Sequence, residues 1–261
     1  MMIQHDADAR YASAPGSGAS QPSGRMASRA PAEKVPTIGF GTLMQLPTLR
    51  LIARRVGERL WSSREAIGFR RDLALPFTAP EAKLPLDIVE LGPDELPAML
   101  DPSLAGASAL DSLECASRRA LWQRHFGRCF VARAPDGQAG FLQWLFDHRD
   151  NAALAAHFGD ACPVLAEGEA LLEGAYTPVA FRGQRIMPAA MARIAERAAD
   201  TGARYVHTFV GIDNMPSLKG CVRAGFPPHQ WRTQHLRLFR RHTGFAALPP
   251  TFARDYAAIS C

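Results

Sequence analysis

Residues 171–202 read LLEGAYTPVAFRGQRIMPAAMARIAERAADTG. An apolar run passes through an Arg-Gly turn into an alanine-rich segment that stops at Thr201-Gly202, where glycine can take the left-handed conformation that ends a helix. Met187, Ala190, Met191, Ile194 and Ala198 recur on one face, which predicts a helix over 186–200 following a strand over 170–177. The first turn of a helix carries N–H groups without intrahelical partners and the positive end of the peptide dipoles, so it attracts anions. Arg182 and Arg185 add full charges beside it. A strand that meets a helix through two arginines and a glycine is suited to holding an anion such as phosphate.

Working outward, ARYVHTFV (203–210) reads as the next strand. Asn214 can cap a helix over 215–224, with Pro216 in its first turn and Gly225 at its end. HQWRTQHLRLFRR (229–241) supplies one or two final strands. Upstream, EAIGFRRDLALP (65–76) and LDIVEL (86–91) read as strands. A helix over 108–127 places Leu110, Leu113, Ala120 and Leu121 on or near one face. CFVARAPDGQAGFLQWLF (129–146) is two strands around a Pro-Asp-Gly turn, and a linker leads from there to the strand at 170. The order predicts an α/β fold with a mixed, mostly antiparallel sheet flanked by helices. Residues 1–36 are rich in Ser, Ala, Gly and Pro and poor in aliphatic side chains, so they are expected to be a disordered tail. PTLRLIARRVGERLW (47–61) sets Leu49, Ile52, Val56 and Leu60 against arginines. It is expected to be an amphipathic helix docked on the chain's own domain, with weak peripheral contact to an anionic membrane as the alternative.

Hydrophobic residues make up 47% of the 261-residue chain, enough for a packed core. Five cysteines, at 115, 129, 162, 221 and 261, are odd in number, widely spaced and without a C-x-x-C pair. That argues against a disulfide framework or a cysteine zinc site and for a reducing compartment. His229, His235 and His242 lack metal-ligand spacing, and no metal is expected. Neither a leader nor a long uncharged apolar run stands out, so a cytoplasmic location is expected. The net charge of +5 is uneven: residues 76–181 carry −8 and residues 214–261 carry +6. A nucleic-acid binder would more often show a continuous basic face with aromatic platforms, and none is expected here. The asymmetry suits an anionic cofactor on one side and a cationic substrate on the other.

Two motifs at this spacing, flanking one strand, resemble the GNAT superfamily of acyl-CoA-dependent N-acetyltransferases over roughly residues 84–242. The first is Thr177-Pro178-Val179-Ala180-Phe181 followed by Arg182-Gly183-Gln184-Arg185-Ile186-Met187. Arg185 stands where the family has its first glycine, and Met187 where it has glycine or alanine. The second is Asn214 and Ser217 with Gly225-Phe226 eight residues after the serine. The resemblance implies a GNAT-like domain over 81–245, with a helix and strand extension over 37–80 and a C-terminal tail over 246–261. It implies acetyl-CoA as cosubstrate, its pyrophosphate on Arg182, Gly183, Gln184, Arg185, Ile186 and Met187. Asn214 and Ser217 would line the pantetheine arm. It further implies that Tyr176 and Thr177 lie where a backbone N–H polarises the acyl oxygen.

Acyl transfer to an amine needs a proton acceptor, a stabilised carbonyl oxygen and a departing thiolate. Glu173 is the candidate base, four residues before Thr177 and on the same face if the strand alternates regularly. A rim carboxylate that balances nearby arginines is the alternative. Cys221 stands where many family members carry a tyrosine that protonates the thiolate, so it is either that acid or a small packing residue. His207 reads as a sheet histidine, and Trp122, Trp144 and Trp231 as core. The function implied is acyl transfer to an amine of a small molecule or peptide. A catalytically silent module that binds acyl-CoA or a protein is the rival.

Overall fold

The computed structural model describes residues 61–92, 95, 98–101, 109–238, 240–250 and 252. The tail over 1–36 lies outside the described residues, as does the helix expected over 47–61 except at Trp61, which opens the first strand.

In chain order the strands are β1 (Trp61–Asp72), β2 (Asp87–Glu90), β3 (Arg128–Arg133), β4 (Ala139–Asp147), β5 (Glu169–Tyr176), β6 (Tyr205–Gly211), β7 (Pro228–Arg237) and β8 (Arg240–Ala247). The α-helices are α1 (Ala109–Trp122), α2 (Asn151–Phe158), α3 (Ile186–Glu196) and α4 (Met215–Arg223). One mixed sheet runs in the order β2-β3-β4-β5-β6-β1-β7-β8. Only β5 and β6 are parallel neighbours, and the chain crosses between them through α3, as a parallel pair requires. β1 lies deep in the sheet, pairing with β6 on one side and β7 on the other.

Each face of the sheet is covered by helices. On one, Phe130, Phe141, Leu145, Leu172 and Val206 pack against Ala190, Met191 and Ile194 of α3 and Leu218 and Cys221 of α4. On the other, Val131, Leu142, Trp144, Leu171 and Phe209 pack against Cys115 and Leu121 of α1 and Leu154 of α2. Burial on both faces explains why β4 reads as an almost unbroken apolar run, AGFLQWLFD. Alanines at 189, 190, 192 and 195 let α3 lie close to the sheet, and nearly every side of this helix is buried.

Three expectations are revised. The first strand stops at Asp72, whose carboxylate accepts from Ala74 N at 3.0 Å and turns the chain. The segment before β5 holds α2 and two short 3-10 turns. Of the one or two final strands expected, there are two, joined as a hairpin. Finally, α1 is rotated from its apparent stripe: Leu121 is buried as expected, but Leu113 is 64% exposed whereas Asp111 and Cys115 are buried.

Candidate active site

β5 and β6 pair through Glu169↔Tyr205, Ala170↔Val206 and Leu171↔His207, and beyond that point they part. β5 also changes register against β4, because Trp144 faces Glu173 but Leu142 faces Tyr176. Two residues of advance on β4 match three on β5, which is a bulge. Gly174 makes it possible with φ +70, and a Cβ there would lie 2.8 Å from the Trp144 ring. The bulge breaks the alternation assumed from sequence. Glu173 shares its face with Tyr176 rather than with Thr177, on the side of Leu142 and Trp144.

α1 fixes the end of this bulged strand. Arg118 Nη2 donates to the Ala175 carbonyl at 3.1 Å. Arg182 Nε donates to the Thr177 carbonyl at 3.1 Å, and its Nη2 pairs with buried Asp111 of α1. The positive charge expected at Arg182 is thus matched within the chain, and this side chain braces the turn. Tyr176 is buried beside Cys115; burial, with the hydrogen bond to Cys115, pushes its phenol well above the usual range.

The turn into α3 uses two left-handed residues, Gly183 at φ 78 and Arg185 at φ 59, ψ 23. Arg185 is the helix N-cap, and its side chain makes no capping hydrogen bond to the free N–H groups of the first turn. Among the described residues the Arg185 side chain makes no hydrogen bond or ion pair, and it is exposed. Nothing lies within 4 Å of where a Cβ on Gly183 would sit. Together these features leave a cationic, donor-rich cradle. Met187 points away from it onto α4, its Sδ 2.5 Å from the position a Cβ on Gly220 would take. The glycine on the neighbouring helix makes room for the methionine side chain.

Across the opening, Asn214 caps α4 by accepting from Ser217 N at 3.2 Å. Cys221 is fully buried between α4 and the sheet, and burial pushes its thiol up to about 12, with the nearby Glu173 charge adding to the effect. Glu173 itself is partly buried and accepts from Gly174 N at 3.3 Å. Burial raises its pKa; Arg232, the Gly174 N–H and Arg118 pull it back. Arg232 comes from β7, stacks over the Phe209 ring at 4.7 Å and donates to the Ala161 carbonyl at 2.7 Å.

The expected residues therefore fall into three groups. Glu173, Tyr176, Thr177 and Arg182–Met187 meet where β5 hands over to α3, Asn214 and Ser217 lie beyond β6, and Cys221 is core. His207 stands apart, buried low on β6 with Nε2 3.2 Å from Glu169. Sequence reasoning missed Asp111, Arg118 and Arg232, which reach the site from distant segments. A cavity of ≈ 770 Å³ beside Phe77, Arg193 and Asp200 lies at the other end of α3. Among the described residues no group of three or more His, Cys, Asp or Glu side chains could hold a metal ion. No described helix is long and apolar enough to cross a membrane.

No protein-family model matches this chain, and no curated protein matches it. Solved structures do. A GNAT-family acetyltransferase from Colwellia psychrerythraea is 16% identical, with a TM-score of 0.44 over 77% of this chain and 63% of that one. A GCN5-related N-acetyltransferase from Sphaerobacter thermophilus is 14% identical, at 0.43 over 74% and 58%. One from Kribbella flavida is 13% identical, at 0.40 over 78% and 66%. The chain spans about three fifths to two thirds of the length of these structures. At such identities the likeness is one of fold alone.

Proposed function

We propose that this chain is an N-acyltransferase that moves an acyl group, acetyl in the simplest case, from a CoA thioester to an amine. The observation that carries the proposal is the parting of β5 from β6 after Leu171, next to the uncapped start of α3. A ligand with an anionic head and an amide-bearing arm suits such an opening. Its pyrophosphate would rest on backbone N–H groups of Gly183, Gln184, Arg185, Ile186 and Met187, with the unpaired Arg185 guanidinium as the counter-charge. Arg182 contributes by holding the turn. The arm would lie between β5 and β6, Asn214 and Ser217 on its far side.

When bound, the cosubstrate supplies the activated acyl group. Glu173 takes the proton from the attacking amine, and the raised pKa that burial gives it makes it a stronger proton acceptor than an exposed glutamate. Backbone N–H groups at Tyr176 and Thr177, past the last β5–β6 pair, would face the acyl oxygen. Cys221 is assigned to packing, since its thiol is fully buried.

Two measurements test this. Calorimetry should show acetyl-CoA binding that Gly183→Glu abolishes in a folded protein, because the substitution puts bulk and like charge into the cradle. Thiol release with a panel of amines should fall by about 10²–10⁴ in Glu173→Gln, with acetyl-CoA affinity unchanged. Lack of acetyl-CoA binding overturns the proposal. Binding without thiol release for any amine replaces it with the silent acyl-CoA-binding module.

A further inference from the structure

Six described arginines, Arg71, Arg128, Arg133, Arg149, Arg182 and Arg204, each meet a carboxylate within 4 Å. Arg118 and Arg232 meet none among the described residues, although both are partly buried. Both are anchored to main-chain carbonyls instead, Arg118 on those of Ala175 and Glu114 and Arg232 on that of Ala161. Each also has a buried Nε with no hydrogen-bond partner. The two come from different elements, one from α1 and one from β7, and both act on the charge of Glu173 without forming an ion pair with it. Burying a guanidinium without a paired anion is costly, because water is removed and nothing of opposite charge replaces it. Two cations around one carboxylate leave the site one negative charge short.

We infer that the acceptor is an amine that also carries a carboxylate, an amino acid in the simplest case, with its carboxylate between Arg118 and Arg232 and its amine at Glu173. The inference rests on the transferase reading and names the substrate class for the same site. The planar guanidinium is the group best matched to a carboxylate, and anchoring through a carbonyl fixes its orientation before the ligand arrives. Phe209 lies under Arg232, the ring centroid 4.7 Å from Cζ, and shields one side of the guanidinium from water, which strengthens its attraction for an anion. The acidic block over 76–181 does not oppose this. Glu90, Glu95, Asp111 and Asp147 from that block are paired with arginines rather than presented to a cationic ligand.

The test is calorimetry on the full chain with each of the twenty common L-amino acids, with and without CoA. The carboxamide of each amino acid that binds is then compared with it. At least one amino acid should bind at least ten-fold more tightly than its carboxamide. Arg232→Gln should erase that preference while leaving carboxamide affinity within two-fold, and Arg118→Gln, which also frees the Ala175 carbonyl, should erase the preference. Melting temperatures identify a variant that has lost its fold, and Arg232, away from the bulge, serves if Arg118→Gln unfolds. Binding by none of the twenty, equal binding of acid and amide, or an equal loss of both in Arg232→Gln overturns the inference. An acetyl-CoA titration separates the two claims. Loss of acetyl-CoA binding with the carboxylate preference intact refutes the transferase and supports the carboxylate site. Thiol release that ignores the carboxylate does the reverse.

Discussion

Arg185 makes the sharpest prediction because its backbone and its side chain pull in opposite directions. At φ 59, ψ 23 it occupies the left-handed region, which costs a residue with a Cβ about 1–2 kcal/mol. Arg185→Gly removes that cost but gives the unfolded chain more freedom, worth about 0.5–1 kcal/mol. The net expectation is a gain of about 0.5–1 kcal/mol, which for a domain of this size raises Tm by about 1–4 °C. The same substitution deletes the unpaired guanidinium at the helix start, and loss of a charge-assisted hydrogen bond weakens binding by about 1.5–3 kcal/mol. Acetyl-CoA affinity should therefore fall about ten- to hundred-fold while the protein becomes more stable, the pattern of a strained residue kept for function. Arg185→Ala is the control, since it loses the charge but keeps the strain. Calorimetry and thermal melts on the three proteins decide. If the glycine variant melts no higher than the alanine variant, the strain argument fails. If all three bind acetyl-CoA alike, the guanidinium does not meet the phosphates.

Gly174→Ala places a Cβ 2.8 Å from Trp144 at φ +70, so urea unfolding should show a loss of about 2–4 kcal/mol, and any turnover should fall as Glu173 shifts. Gly220→Ala presses on Met187; it should cost about 1 kcal/mol, and adding Met187→Ala should recover much of that in a double-mutant cycle. Glu173 gives a pH dependence with a definite sign. Burial raises its pKa, so the folded protein keeps a proton that the unfolded chain has lost, and stability declines as pH climbs from the ordinary glutamate range through the raised value. Glu173→Gln should thus be more stable than the parent at neutral pH and no more stable below about pH 4; a constant difference between urea titrations at the two pH values would refute the burial argument.

The features legible in the sequence were those written in neighbouring residues. The α3 stripe, the Asn214 cap and the hairpin at Pro135-Asp136-Gly137 depend on local periods and turn chemistry, and they appear in the fold. Helix α2 was missed because NAALAAHF has no apolar stripe, and only Leu154 is buried. The bulge at Gly174 was missed because strand alternation was assumed, and one extra residue reverses the face of everything after it. The rotation of α1 follows from partners far along the chain: Asp111 is turned inward by Arg182, and Arg118 by Ala175. Glu173 could be singled out from its strand, but the arginines on either side of it could not, since no local pattern ties β7 to β5.

The position of β1 bears on how the protein is made. It is the earliest strand among the described residues, yet its two neighbours come late: Ala66 pairs with Gly211 on one side and with Arg232 on the other. At about 5–20 residues per second, a ribosome needs on the order of ten seconds to supply those partners. Throughout that interval Ala66, Ile67 and Phe69, which end up in the core, have no sheet to join, and both edges of the strand are open to other chains. The nascent protein thus depends on keeping an exposed strand soluble, and the step that completes the sheet closes a very long loop. Expression slowed or stopped before residue 205 would release chains that hold β1 but lack both of its partners, and such fragments should aggregate where the full-length protein does not.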